Sequence, residues 1–172
     1  MTLKAFKEAL KEDQLYMKLV TRINKIEVKD EFMLDELESL HARRDIRALR
    51  SEGLLQSSQL IALDNNIDNQ SVRSRCVELK IKALRQSVTY TEVIKKLKRY
   101  IPVKFNKFLT KQASTVTERK LWVDYVLEPI VSKAERLDHV VHICDVIIED
   151  CDSAGFTLKR INETLEQKSR DK

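Results

Sequence analysis

Apolar residues recur along most of the chain every three or four positions, which is the spacing of amphipathic helices. Leu3, Phe6 and Leu10 open the first such series, and further series follow Asp30 and Ser71. The chain contains two glycines and two prolines. It therefore lacks the turn formers that a β-rich fold of this length requires. We predict an all-α fold, a bundle of long helices.

Breaks in this pattern organise the single all-α chain over residues 1–172, which is long enough for one domain or for two helical lobes. Residues 64–70 are rich in side chains that hydrogen-bond their own backbone, which predicts a polar loop. Pro102 is predicted to end the long helix that precedes it. The resulting parts are N-terminal helices over 1–63, the loop over 64–70, a basic long helix with a connector over 71–111, and C-terminal helices over 112–172.

The last part contains three local signals. Thr115 and Glu118 have the spacing of a capping box, which begins a helix. Pro129 either kinks that helix or begins a new one as its first residue. Gly155 is predicted to end the helix, and Phe156 and Ile161 stand at the two positions of a hydrophobic staple. These residues predict a short helical corner at the C-terminus.

Charge is distributed unevenly along the chain. The formal net charge of +5 divides into −2 for residues 1–40, +10 for residues 41–111 and −3 for residues 112–172. All of the excess positive charge therefore lies in the middle of the sequence. This asymmetry favours a polyanionic partner more strongly than the total charge does.

The middle of the chain also combines basic and aromatic residues. Binding of single-stranded DNA requires cations along the phosphates and aromatic faces on which bases stack. The alternative is that the aromatic residues are core and the lysines form a solvated face. The candidate DNA-binding residues in this segment are Lys95, Lys96, Lys98, Arg99, Tyr100, Lys104, Phe105, Lys107, Phe108 and Lys111.

A second candidate strip consists of arginines. Arg43, Arg47 and Arg50 share one face of a helix, and Arg44 lies beside them. Their planar guanidinium groups suit phosphate, although salt bridges to the acidic first helix or to a neighbouring subunit are an equal alternative. Further basic residues, from Arg73 to Arg85, extend the positive charge along the long helix.

The sequence offers no set of residues that predicts catalysis. A glycine-rich phosphate loop is absent, because the two glycines are far apart. Glu135, His139 and His142 could share one helical face, but two histidines without a fourth ligand make a zinc site improbable. Cys144 lies on a different side of that helix, so it forms no catalytic pair with His142. We predict a protein that is not an enzyme and has no metal or cofactor.

The sequence also indicates a cellular compartment. Charged residues interrupt the N-terminal region, and no stretch reaches the roughly 20 apolar residues of a membrane span. Cys76, Cys144 and Cys151 lack the spacing of a disulfide or metal framework and are expected to be buried thiols in a reducing environment. A cytoplasmic protein without a membrane partner is the expectation.

The C-terminal stretch ICDVIIEDCDSAGFTLKRINETLE (143–166) resembles the end of the phage UvsY recombination-mediator family. That family closes with an apolar helix, a Ser-x-Gly-Phe corner and a helix start with lysine and isoleucine. The opening LKAFKEALKED (3–13) is similar to its first helix, whereas the Tyr-Tyr-Ser-Gly-rich turn of the family is missing here. The matching residues are Cys144, Ser153, Gly155, Phe156, Leu158, Lys159 and Ile161.

This resemblance implies a specific function. Such mediators are not enzymes; they form homo-oligomeric rings, bind single-stranded DNA, displace the single-strand-binding protein and load a recombinase. In a phage-encoded protein the site of action is the host cytoplasm. Apolar residues spread around the C-terminal helix also favour subunit contacts. The predicted oligomerisation residues are Ile143, Val146, Ile147, Ile148, Phe156 and Ile161.

Two other interpretations remain open from the residues. One is a non-catalytic structural or adaptor protein whose basic middle binds an acidic protein. The other is a helical protein that binds duplex DNA or RNA, although no helix-turn-helix spacing is present. Salt-sensitive oligonucleotide binding favours a nucleic-acid function over an adaptor, and competition by duplex distinguishes the two nucleic-acid functions.

Overall fold

The computed structural model describes residues 3–26, 30–43 and 59–170. Within these ranges the chain is helical and contains no strand, which confirms the predicted all-α class. The helices are α1 (Leu3–Lys11), α2 (Gln14–Asn24), α3 (Asp30–Arg43), α4 (Gln59–Lys104), α5 (Asn106–Gln112) and α6 (Val116–Arg170).

The chain divides into two compact units, each built from segments that are distant in sequence. Unit 1 comprises residues 1–29 and 84–138, and unit 2 comprises residues 30–83 and 139–172. The long helices α4 and α6 contribute one portion to each unit. The structural units therefore cut across the four consecutive parts that the sequence pattern indicates.

Helix α4 buries one continuous stripe, which explains its length. The stripe follows a three-four spacing, so each buried residue lies above the previous one on the same helical face. Most residues on the remaining faces are polar or charged, although Ile81, Leu84 and Val88 are also exposed there. The members of the stripe are Asn69, Val72, Cys76, Leu79, Ala83, Ser87, Tyr90, Val93, Leu97 and Ile101, each at most 5% exposed.

Helix α6 carries a corresponding stripe and runs antiparallel to α4 in each unit. In unit 2, Lys80 pairs with Asp145 and Arg73 pairs with Asp152. As the residue number falls on α4, the number of its partner rises on α6. The α6 stripe consists of Val123, Leu127, Ile130, Ala134, Leu137, Val140, Cys144, Ile147, Cys151, Leu158 and Ile161.

An aromatic cluster forms the core of unit 1 at the end where α5 connects the long helices. The ring of Phe6, which is fully buried, is centred 5.3 Å from that of Phe108 and 5.9 Å from that of Phe105. The Trp122 ring lies 6.1 Å from the same side chain. Aromatic pairs at these separations stabilise a core beyond their area burial. Phe6 thus attaches α1 to α5 and α6.

The predicted polar loop over residues 64–70 is wrong, because these residues lie inside α4. Asn69 occupies a position of the buried stripe, and its side-chain amide donates to the Cys151 carbonyl oxygen at 2.7 Å. Asp64, Asp68 and Gln70 are exposed on the other faces. The low helix propensity of this segment is overridden by the burial of the stripe.

The predicted C-terminal corner is also wrong, because α6 continues through Gly155. Gly155 has no positive φ, so it does not adopt the left-handed conformation that ends a helix. Phe156 is 66% exposed while Ile161 is buried, so the two do not form a staple. The helix persists because the buried stripe keeps its spacing from Cys151 to Leu158.

The prolines affect the helices less than the sequence indicates. Pro129 lies within α6, so of the two alternatives for this residue the start of a new helix is excluded. Helix α4 ends at Lys104, two residues beyond Pro102, and α5 begins at Asn106. Pro102 lacks an amide hydrogen and therefore weakens the last turn, which is consistent with the break that follows.

The predicted capping box is confirmed at the start of α6. The amide of Glu118 donates to the Thr115 hydroxyl oxygen at 3.1 Å, and the amide of Thr115 donates to the Glu118 carboxylate at 3.2 Å. That carboxylate also accepts from the Ser114 amide at 2.9 Å. The hydrogen bonds from Thr115 and Ser114 hold the pKa of Glu118 below its usual value. The turn between α5 and α6 is therefore fixed by hydrogen bonds.

Replacing Gly155 by alanine distinguishes the continuous helix from the corner. In the helix, an alanine Cβ would meet its nearest neighbour, the Asn69 side-chain nitrogen, at 4.0 Å, which is an ordinary contact. We expect Gly155→Ala to raise the free energy of unfolding by about 0.5–1 kcal/mol, measured by urea denaturation. Loss of stability would indicate a left-handed glycine and would contradict the continuous helix.

Candidate nucleic-acid interface

The charge of the chain follows the structural units. Counted over the sequence, unit 1 contains 19 lysines and arginines against 10 aspartates and glutamates, a net charge of +9. Unit 2 contains 13 against 17, a net charge of −4. The folded protein thus has one basic and one acidic unit. The sequence pattern divides basic from acidic residues at residue 111, whereas the structure divides them at the boundaries of these units.

Several basic residues of unit 2 hold its helices together. The Arg73 Nε atom lies 2.5 Å from the Asp152 carboxylate, and Lys80 Nζ lies 2.5 Å from Asp145. Arg75 donates to Glu36 of α3 at 2.6 Å. The hydrogen bond from Arg73 holds the pKa of Asp152 below its usual value. Because these cations are neutralised, they contribute little to a phosphate-binding surface.

The predicted basic residues of unit 1 are exposed. Lys98 Nζ lies 3.0 Å from the Asp124 carboxylate. Within the described part of the chain, the remaining predicted cations of this unit form no ion pair, so their charge is available to a ligand. These are Lys95, Lys96, Arg99, Lys104, Lys107 and Lys111.

The structure corrects the predicted role of the aromatic residues. Phe105 and Phe108 are partly buried and pack against Phe6, so they belong to the core cluster. The Tyr100 hydroxyl donates to the Asp13 carboxylate at 2.8 Å. These side chains already have structural partners, as in the alternative that the sequence left open. These contacts favour the core role over stacking of bases.

The arginine strip is described only at its first member. Arg43 is exposed in the last turn of α3. Arg44, Arg47 and Arg50 lie outside the described residues.

A groove of about 950 Å³ between α2 and α4 brings together four cations that the sequence pattern did not group. Lys18, Arg22 and Lys25 lie on one face of α2 at i, i+4 and i+7, and Lys96 reaches the groove from α4. All four are exposed, and within the described residues none forms an ion pair. Among the described residues, no aspartate or glutamate lines the groove.

Apolar side chains also line this groove. Leu15 and Met17 line it and are 43% and 40% exposed, and Leu19 and, from α4, Tyr100 line it as well. The arrangement provides positive charge with uncovered apolar surface beside it. The sequence pattern did not predict this site, because residues 1–40 carry a net negative charge. Lys18, Arg22 and Lys25 become recognisable as a group only when α2 is placed beside Lys96 of α4.

Asp13 sets the position of α2 relative to α4. Its carboxylate caps α2 by accepting from the Tyr16 amide at 2.8 Å, and it also accepts from the Tyr100 hydroxyl. Burial alone would raise the pKa of Asp13, but the hydrogen bonds from Tyr16 and Tyr100, with the nearby Lys104, hold it below its usual value. One ionised side chain therefore connects the two helices that form the groove.

The predicted oligomerisation residues separate into two groups. Ile147 and Ile161 are 3% and 8% exposed and belong to the core of unit 2, so they are not available to a second copy. Val146 and Phe156 are 53% and 66% exposed. The side chains of Ile143 and Ile148 are partly buried. Ile143 and Val146 line an apolar groove of about 410 Å³ between α3 and α6.

The other residues that the sequence marks for possible chemistry are the cysteines and the potential metal ligands. Cys76, Cys144 and Cys151 are buried, as predicted, and burial raises the pKa of Cys144 to about 11. In the described part of the chain, no three acidic, histidine or cysteine side chains are arranged to hold a metal ion. No helix in that part has an apolar stretch long enough to span a membrane.

Comparison of the chain with protein-family models, with curated proteins and with solved structures gives no match. The resemblance to the UvsY family therefore rests on the quoted residues alone.

Replacing Asp13 tests its role in holding α2. We expect Asp13→Ala to lower the free energy of unfolding by about 1 kcal/mol, because the helix loses its N-cap. Because the folded pKa is lowered, the ionised carboxylate stabilises the fold fully above its ordinary pKa of 3.8, and this contribution is lost as the pH falls through the folded value. Asp13→Asn keeps a capping oxygen and should remove that pH dependence.

The control for both changes is Glu12→Ala, which removes an exposed carboxylate one residue away. Denaturation curves between neutral and acidic pH provide the measurement. Equal effects of Asp13→Ala and Glu12→Ala would contradict the role assigned to Asp13.

Proposed function

We propose that the protein binds single-stranded DNA through the basic surface of unit 1, with the groove between α2 and α4 as its centre. The observation that carries this proposal is the set of four exposed cations, Lys18, Arg22, Lys25 and Lys96, around a groove that no acidic residue of the described ranges lines. Phosphate binding releases condensed counterions, and it requires cations that are not already neutralised. Unit 1 supplies such cations, whereas Arg73, Arg75 and Lys80 of unit 2 are paired.

The exposed apolar residues of the groove favour a single strand over a duplex. In a duplex the bases are stacked on each other, and the outer surface is dominated by phosphate and sugar. A single strand can place its bases and sugars against Leu15 and Met17 while its phosphates meet the cations beside them. Because charge and apolar contact do not distinguish one base from another, binding without sequence preference is expected.

The further role implied by the resemblance is part of this proposal. A mediator would bind the strand, displace the single-strand-binding protein and help to load a recombinase. Support for this step comes from residue identities in the stretch 143–166. Those residues form one continuous helix here, so the support does not include a shared corner.

The double variant Lys18→Ala/Arg22→Ala tests the DNA-binding groove. For a single strand, log K falls with log salt concentration at roughly 0.7 per neutralised phosphate, so the loss of two contacts should flatten the slope by about 1.4. We expect weaker binding of a labelled single strand, measured by fluorescence anisotropy across a salt series. An unlabelled duplex should compete less effectively than an unlabelled single strand.

The matched control is Lys82→Ala/Lys133→Ala, which removes two exposed cations that do not line the groove. It should leave the salt slope nearly unchanged. A wild-type affinity that does not depend on salt would contradict nucleic-acid binding. Equal losses in the two double variants would place binding outside the groove, and stronger competition by duplex would replace the single strand as the ligand.

A homo-oligomer can form through those predicted oligomerisation residues that remain exposed in the structure. We propose that Val146, with the adjoining groove between α3 and α6, contacts a second copy. Val146→Asp should then shift the particle towards monomer, whereas Ile147→Asp should unfold the chain because it places a charge in the core. Sedimentation and circular dichroism distinguish these effects, with Ile67→Asp, another exposed position of unit 2, as the control. A wild-type protein that sediments as a 20.1 kDa monomer would contradict the oligomer.

A further inference from the structure

A second depression in unit 1, separate from the groove, has a different character. It encloses about 350 Å³ between the last turns of α4, the short helix α5 and the start of α6. No residue lines both this depression and the groove between α2 and α4. We call it the α5 pocket. Its lining residues are Lys98, Pro102, Asn106, Leu109, Val116, Arg119, Lys120, Val123 and Asp124.

The walls of the α5 pocket are aliphatic. Leu109 and Val123 form its buried base, at 1% and 4% exposure, and Val116 stands at its edge with 77% of its surface exposed. Pro102 completes the wall from α4. A concave apolar site of this volume accommodates one large side chain of a ligand. Since no aromatic ring from the part of the chain that the structure describes lines it, the site offers no stacking surface for a nucleobase there.

The rim of the α5 pocket is basic. The charge of Lys98 is neutralised by the Asp124 carboxylate, 3.0 Å from its Nζ atom. Arg119 and Lys120 therefore supply the net positive charge of the rim. Lys120 is exposed and forms no ion pair within the described residues. The surrounding unit carries a net charge of +9. A ligand that enters the apolar base therefore meets positive charge on its flanks.

The pocket is held in shape by hydrogen bonds. The Arg119 guanidinium donates to the Ala113 carbonyl oxygen at 3.2 Å and to that of Ser114 at 3.5 Å. The capping box of Thr115 and Glu118 fixes the same turn. Because α5 and the start of α6 are joined in this way, the pocket exists before a ligand binds, which lowers the entropic cost of association.

We propose that the α5 pocket binds a short acidic segment of a partner protein, which inserts one apolar side chain against Leu109 and Val123. Its carboxylates lie beside Arg119 and Lys120. Aliphatic walls select the anchor residue, and the rim charges select its acidic neighbours. This gives the protein a peptide-binding site that is independent of the proposed DNA groove.

The test uses the full chain and a fluorescein-labelled peptide in which aspartates flank a single phenylalanine. Val116→Asp places a negative charge at the mouth of the pocket, and Val116 is exposed at the first residue of α6, where aspartate is favourable for the helix. We expect this variant to fold and to weaken peptide binding at least about tenfold, which corresponds to about 1.4 kcal/mol. Replacing the peptide phenylalanine by serine should have a similar effect.

The matched control is Leu121→Asp, which makes the same change at a 61% exposed position of α6 that does not line the pocket. It should leave peptide binding close to that of the wild type. Failure of the wild-type chain to bind the peptide, or equal losses in Val116→Asp and Leu121→Asp, would overturn the proposal.

Measurements with single-stranded DNA separate this site from the groove. Val116→Asp and Leu121→Asp should bind the oligonucleotide equally well. Lys18→Ala/Arg22→Ala should bind the peptide as well as Lys82→Ala/Lys133→Ala does. If the oligonucleotide displaces the peptide from the wild-type chain, and Val116→Asp weakens binding of the oligonucleotide as well as of the peptide, the pocket is part of the nucleic-acid site. The peptide proposal is then wrong.

Discussion

The fold depends on the antiparallel contact between α4 and α6. Each helix presents one stripe of buried residues with three-four spacing, and neither stripe can be removed from water without the other. The two charged pairs of unit 2, Arg73 with Asp152 and Lys80 with Asp145, lie at the border of this contact and fix its register. The shorter helices then cover what the pair leaves exposed: α1 through Phe6 in unit 1, and α3 through Met33 and Leu37 in unit 2.

Much of the helical content was predictable, but its interruptions were not. Local signals at Asp64–Gln70 and Gly155 favoured breaks, whereas the structure keeps both segments helical. The reason is that propensities of a few tenths of a kcal/mol per residue compete with burial of a long stripe. The capping box at Thr115 was predictable, because all of its hydrogen bonds lie within a few residues of sequence.

The charges of the candidate site were likewise only partly predictable from the sequence. A sum of charges along the sequence identified the basic middle, but it could not separate cations that pair with a neighbouring helix from cations that face water. Arg75 pairs with Glu36, which is 39 residues away, whereas Lys96 is exposed beside the three cations of α2. Only tertiary contacts reveal which charges remain available, and they assign the net positive charge to unit 1. The aromatic residues illustrate the converse, since Phe105 and Phe108 have the spacing of a stacking surface and yet pack on Phe6.

The arrangement of the two units has a consequence for synthesis on the ribosome. Unit 1 combines residues 1–29 with 84–138, and unit 2 is completed by residues beyond 139. Helices α1 and α2 must therefore wait for α6 to emerge before Phe6 can meet Trp122, a separation that makes the contact order high. Until then the apolar face of α1 has no native partner, so the nascent chain exposes surface that chaperones recognise. Shortening the chain to residue 138 would keep every segment of unit 1 and remove the last segment of unit 2, whereas a cut before that point would leave both units incomplete.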